Sequence, residues 1–383
     1  MKNVKKKPSL KQKKLLKKPQ RLKRLLDLLR KRKLNAYIIS SAANRYYLTG
    51  WLADSESGFV LATPKKSFII TDSRYFEHAV KETEGFEIFQ TEEGVGPALR
   101  ALPEKEKSAR IGFESHHLSV FSFKHLKKVL KKVKLVPEAS LIEKLREVKD
   151  EIELGKIRKS VALADRAFTH ILSFIKPGIS EKEVAWELED FLKKAGADGL
   201  AWNPIIVAAG ANSSMAHWGA ENTKIRKNDM VLLDFGCIYQ GYCSDISRVI
   251  FVGKPNSRQI EIYNLVLEAQ KLGIGLVKEG RTGATIDKKV RSFLEKNLPS
   301  GVDSKHIYKH ALGHGVGLEI HELPSMNIRR KNKLATGSIT TIEPGIYIPG
   351  WGGIRIEDMV LVTKEGCEIF TKAPKEIREI TIT

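Results

Sequence analysis

Cysteine is scarce: Cys237, Cys243 and Cys367 are the only three in 383 residues, and they form neither a CxxC pair nor an even set. That excludes a zinc knuckle and a disulfide scaffold and points to a reducing compartment, so a cytoplasmic protein is expected. Long apolar runs are missing as well. With no stretch of about 18 uninterrupted apolar residues, no membrane-crossing helix is expected. The N-terminal segment lacks the apolar core of a secretory signal, and from Lys2 to Lys18 it is too poor in Ser and Arg for a transit peptide. Neither GxxxxGK[ST] nor GxSxG occurs, which removes the phosphate-cradling loop and the serine-hydrolase elbow. Acidic residues are nearly absent from one end. Residues 1–33 hold sixteen Lys and Arg against the single acid Asp27, a net of +15 out of +21, so the other 350 residues carry only +6.

What is present fits a globular chain: 42% hydrophobic and 29% charged residues, at a length that favours two domains. Residues 1–19 read as a basic extension, either solvated and partly disordered or attached to nucleic acid or an acidic surface. From Gln20 the leucines at 22, 25, 26 and 29 recur with helical spacing, and the short runs AYIIS, GFVLA and SFIIT are strand-like. Tyr75–Thr83 and Phe121–Lys132 look helical, giving an α/β domain over 20–145. A long helix is expected over 149–174, and Ser180 with Glu183 forms a capping box for a helix through Lys194. Paired β-runs with helices near 256–278 and 284–296 then give an α+β domain over 150–383.

The chemistry-bearing residues lie in that second domain. Met230–Tyr239 and Tyr242–Val252 are joined by Gln240-Gly241, a two-residue hairpin connection. If Tyr239 faces Tyr242, then Asp234 lies opposite Ser247 with Asp245 diagonal to it on the same face, about 7–8 Å away. Cys237 falls on the other face, away from both acids. Two such aspartates are either surface acids on a solvated face or a buried pair that a cation must compensate. His310, His314 and His321 cluster around glycines in HALGHGVGLEIHE. That run lacks the GxGxxG spacing of a dinucleotide site. TTIEPGIY and GIRIEDMVLVT form a second β pair carrying Glu343 and Glu357, with Arg355 on the Glu357 face. One His and four carboxylates suit a hard divalent ion: manganese first, with cobalt or zinc as alternatives.

Together LLDFGCIYQGYCSDISR, GHGVGLEIHELP, TTIEPGIY and GGIRIEDMVLVT, with AAGANSSMAHW, NRYYLTGW and ITDSRY, resemble the creatinase/prolidase-type metallopeptidases of the pita-bread fold. That group contains aminopeptidase P and Xaa-Pro dipeptidase. The resemblance implies an α/β N-terminal domain and an α+β pita-bread catalytic domain with metal-bearing hairpins. It implies two metal ions on Asp234, Asp245, His314, Glu343 and Glu357, with Asp245 and Glu357 bridging, and a bridging hydroxide as nucleophile. Glu343 would also shuttle the proton, and His217 and His321 would polarise the scissile carbonyl. Arg355 would orient the acids, His310 would line the pocket or serve the structure, and Tyr347 would pack on the substrate proline. A homodimer that acts on proline-containing peptides is implied, as an Xaa-Pro aminopeptidase or alternatively an Xaa-Pro dipeptidase. A catalytically inactive binding module of the same fold would be expected to have lost ligands, and all five are here. The Ser247 hydroxyl stands where the family often has Thr, and the resemblance offers nothing for the basic extension.

Overall fold

The computed structural model describes residues 18–54, 56–93, 95–100, 110–131, 133–329 and 331–383. Of the basic extension read over 1–19, residues 1–17 lie outside them, whereas Lys18 and Pro19 open the first helix. Two compact units part between Arg146 and Glu147. Among the described residues no helix is long and apolar enough to cross a membrane.

The first unit runs α1 (Lys18–Lys31), β1 (Ala36–Ile39), α2 (Ala42–Thr49), β2 (Phe59–Ala62), β3 (Phe68–Thr71), α3 (Phe76–Glu82), β4 (Glu87–Gln90), α4 (Val95–Arg100), β5 (Arg110–Glu114), α5 (Val120–Val129), β6 (Lys134–Glu138) and α6 (Glu143–Arg146). The leucine spacing places Leu25 and Leu29 of α1 in the interior, while Lys23, Arg24, Arg30 and Lys31 face water. The strands form one sheet in the order β4-β3-β2-β1-β5-β6. β2 pairs antiparallel to β1 and β3, and the remaining neighbours are parallel. Central β1 is buried at all four residues, which explains its unbroken apolar run. The helix read as Phe121–Lys132 ends earlier, because Leu130 leaves helical geometry and turns its side chain into the core.

The second unit begins with α7 (Glu151–Phe174), capped by the Asp150 carboxylate, and α8 (Glu181–Lys194), whose expected Ser180–Glu183 box is formed. Its remaining elements are β7 (Gly199–Leu200), β8 (Ile206–Ala209), β9 (Met230–Phe235), β10 (Cys237–Tyr239), β11 (Tyr242–Cys243), β12 (Ile246–Val252), α9 (Ser257–Leu276), α10 (Gly283–Lys296), β13 (His314–Gly315), β14 (Glu322–Ser325), β15 (Ile339–Ile342), β16 (Gly345–Ile348), β17 (Gly352–Arg355), β18 (Asp358–Val362), β19 (Cys367–Ile369) and β20 (Thr381–Ile382). A four-stranded sheet, β20-β12-β9-β8, carries the first hairpin, and the β15-β18-β19 sheet with the β16-β17 ribbon carries the second. All seven residues of β12 are buried.

Candidate metal centre

Turn chemistry sets the first hairpin. Gln240 and Gly241 both have positive φ, 48° and 79°, as a type I′ turn requires. Tyr239 therefore faces Tyr242, and Asp234 faces Ser247 five positions further along. The sequence suggested one continuous ladder, but the pairing is interrupted. It breaks at Gly236, where a Cβ would lie 1.8 Å from the Ser244 carbonyl oxygen, so only glycine allows this approach. Asp245 sits in that break. In the second hairpin the interruption falls at Pro344, which has no N–H to donate, and at Ile356-Glu357 opposite. Each carboxylate pair thus lies beside a gap in its own ladder, where side chains of two strands can turn toward one point. The hairpins are joined there: the Glu357 N–H donates to the Ser247 carbonyl at 3.1 Å and the Ser247 hydroxyl to Glu357 Oε2 at 2.9 Å.

Four acids and four histidines converge on a cavity of about 480 Å³ lined by Asp234, Asp245, His217, His310, His314, His321, Glu343, Arg355 and Glu357. His314 Nε2 lies 3.4 Å from both Asp245 Oδ2 and Glu343 Oε1. Its Nδ1–H donates to the Gly315 carbonyl at 3.1 Å, which leaves the Nε2 lone pair aimed at the acids. Burial and the His321 ring push its pKa down to about 4. A neutral imidazole lone pair against two carboxylates is repulsive unless a cation or a shared proton lies between them.

The acids report the same crowding. Burial and the Glu357 charge push the Asp245 and Glu343 carboxyls well above their ordinary range, and burial with Asp234 pushes Glu357 up to about 8. Asp245, His314 and Glu357 each offer a donor atom within 4.8 Å of the others. Asp234 Oδ1 is buried without a hydrogen-bond partner among the described residues, whereas its Oδ2 receives the Arg355 guanidinium at 2.5 Å. An orphaned carboxylate oxygen beside clustered hard donors fits a divalent cation.

Arg355 is the organiser of the acids. Besides Asp234 it donates to the Ser247 hydroxyl at 2.8 Å, to Tyr347 Oη at 2.7 Å and to the Ala216 carbonyl at 3.3 Å. His310 Nδ1–H donates to the Ala311 carbonyl at 2.7 Å, leaving Nε2 to accept the Tyr347 hydroxyl at 3.0 Å. Tyr347 does not line the cavity, so the stacking on a substrate ring that the resemblance implied has no support in its placement. His321 stands edge-on to His314 with ring centroids 4.2 Å apart, and His217 is exposed at the cavity. Sequence reasoning left out Trp202, Ile206 and Ile320, the apolar part of the lining, and Thr341, whose hydroxyl donates to Glu343 Oε1 at 3.2 Å. For Thr341 the signal was its place two residues before Glu343, on the same strand face.

Behind the acids Arg248 is fully buried. It holds Asp358 at 2.7 Å and donates to the Ser247, Glu357, Ala373 and Pro374 carbonyls. Burial alone would raise the Asp358 carboxyl, but Arg248 and Lys375 bring it below its ordinary value. Arg248→Ala is expected to cost about 3–5 kcal/mol, because it strands buried acceptors. Denaturant unfolding of the metal-loaded protein measures this, and a loss under about 1 kcal/mol would contradict it.

Sequence comparison joins this geometry to a family. The profile of Metallopeptidase family M24 matches residues 155–364, and that of the Creatinase/Prolidase N-terminal domain matches 21–148. The chain belongs to metallopeptidase family M24. It is 34% identical over 361 residues to an Xaa-Pro dipeptidase of Pyrococcus horikoshii, covering 94% of this chain and 98% of the relative. Solved structures agree. The Xaa-Pro dipeptidase from Bacillus anthracis superposes with a TM-score of 0.88 at 39% identity, covering 95% of this chain and all of the other. The X-Pro aminopeptidase from Thermotoga maritima gives 0.85 at 32%, covering 94% and 99%. This M24 chain is therefore a hydrolase of the Xaa-Pro peptidase group with the two-domain pita-bread architecture, and its family implies divalent metal ions. Its relatives include both dipeptidases and aminopeptidases.

Proposed function

We propose that the protein is an Xaa-Pro aminopeptidase, removing the residue before proline from peptide N-termini. The observation that carries the reading is the convergence of Asp234, Asp245, His314, Glu343 and Glu357 on one cavity, with His217 and His321 at its wall. The five would hold two divalent ions. The hard, oxygen-rich donor set favours manganese, and the reducing chemistry of three free cysteines favours the cytoplasm. The homodimer rests on the family resemblance alone.

When bound, the metal ions lower the pKa of a water and neutralise charge on the reacting carbonyl. The chain's own groups supply the rest. Glu343 would take the proton of the attacking water and pass it to the proline nitrogen as the bond breaks. His217 and His321 present N–H donors to the carbonyl oxygen as it gains charge. Arg355 fixes Asp234 and, through Ser247, Glu357, while Trp202, Ile206 and Ile320 offer apolar surface to the substrate.

Xaa-Pro dipeptidase is the second reading, favoured by the relatives that carry that name. One assay separates them. Manganese-loaded protein is expected to cleave an Xaa-Pro-Yaa tripeptide at the Xaa-Pro bond. Cleavage of the Xaa-Pro dipeptide alone would make it a dipeptidase, and inertness toward both would refute proline specificity.

A further inference from the structure

The two histidines at the cavity wall that stand apart from the acids sit on loops, and one loop has an unusual anchor. His217 lies in the segment between β8 and β9, with its side chain exposed at the cavity. Nothing about an exposed loop histidine fixes its position by itself, yet both its chain neighbours are held. On one side, Arg355 Nη1 donates to the Ala216 carbonyl at 3.3 Å. On the other, Trp218 Nε1 donates to Glu181 Oε2 at 2.9 Å.

Glu181 is the first residue of α8 and is fully buried. Its Oε1 accepts from the Ala209 N–H at 2.8 Å and Asn212 Nδ2 at 2.9 Å, and its Oε2 also accepts from the Glu221 N–H at 3.1 Å. Four donors spread over residues 209–221 therefore fill both oxygens of one carboxylate. The Glu181 and Lys182 N–H groups donate back to the Thr223 and Glu221 carbonyls, both at 3.0 Å, closing the downstream end of the same segment. Burying a carboxylate is costly, and hydrogen bonds to the charged form are the strong kind that offset it. The start of a helix also favours negative charge. A neutral side chain could fill this space, but no neutral group accepts from four donors at once.

We infer that Glu181 is a positioning residue for His217: it clamps the 209–221 segment from the α8 side, against the hold of Arg355 from the cavity side. The inference rests on the proposed role of His217 and adds the group that sets its position. Glu181→Gln tests it. Whichever way the amide turns, its nitrogen faces two donors, so half of the clamp is lost. Three results are expected: unchanged metal stoichiometry, faster amide hydrogen exchange over 209–221, and kcat/KM on the Xaa-Pro-Yaa tripeptide lower by about 10–100-fold. In a His217→Ala background, Glu181→Gln is expected to cause no further loss, because its effect runs through His217.

Exchange over 209–221 indistinguishable from wild type would overturn the inference, and so would losses that multiply in the double variant. Should Glu181→Gln fail to fold, Trp218→Phe removes a single donor and leaves a smaller aromatic ring in its place. The same exchange change in smaller measure is then expected, and its absence would overturn the inference. If the wild-type protein cleaves no Xaa-Pro peptide, the proposed activity falls while the exchange arm still decides whether Glu181 holds the loop.

Discussion

Asp245→Ala is expected to abolish turnover of Xaa-Pro peptides, lowering kcat by about 10³-fold or more, since a lost ligand forfeits several kcal/mol of charge stabilisation at about 1.4 kcal/mol per decade. Asp245 sits in the ladder gap opposite Gly236, and its Oδ2 is 3.4 Å from His314 Nε2. Bound metal in the purified variant should fall below two ions per chain. The side chain is also costly to the metal-stripped protein, because burial and the Glu357 and Asp234 charges disfavour its ionised form. Asp245→Asn, which keeps the shape, should therefore raise the Tm of the metal-stripped protein, by about 2–4 °C for each kcal/mol relieved, while remaining inactive. Near-normal activity in either variant would remove Asp245 from the centre.

The hairpin was readable because a two-residue connection leaves little freedom in register: once Tyr239 faces Tyr242, the partner of Asp234 follows. The break at Gly236 was not readable, since it arises from the Ser244 carbonyl crossing where a Cβ would be. The first-domain strands were legible from their apolar runs, but α5 ended at Val129 because burial of Leu130 outweighed the helical pattern. Trp202 and Ile206 reach the cavity through a tertiary arrangement that no local period encodes. The resemblance implied only packing of Tyr347 on the substrate proline, whereas in the fold its hydroxyl is shared by Arg355 and His310, contacts that no local pattern encodes. Glu181 opens α8 beside the capping Glu183, and nothing local in the sequence sets it apart from a first-turn acid. Its four partners lie 28 to 40 positions away.

Metal removal is expected to destabilise the protein far more at pH 8.5 than at pH 5. The reason is the sign of the shift at Glu357, from an ordinary 4.5 in the unfolded chain up to about 8 in the fold, where burial and Asp234 disfavour its charge. A carboxyl raised in this way contributes stability that is fully present below pH 4.5 and is lost as pH rises through about 8. Asp245 and Glu343 are shifted in the same direction and add to the loss. Metal ions reverse the balance, since they bind the ionised carboxylates and the neutral His314, and both forms are favoured as pH rises. Saturating manganese at about a hundred times its Kd adds about 2.7 kcal/mol. The Tm difference between loaded and stripped protein should therefore widen steadily from pH 5 to pH 8.5. The same measurement on Asp234→Asn should show a shallower rise, because one of the charges that raises Glu357 is gone. A Tm difference that stays flat across this range would mean that the four acids do not carry the metal, whatever their convergence in the fold.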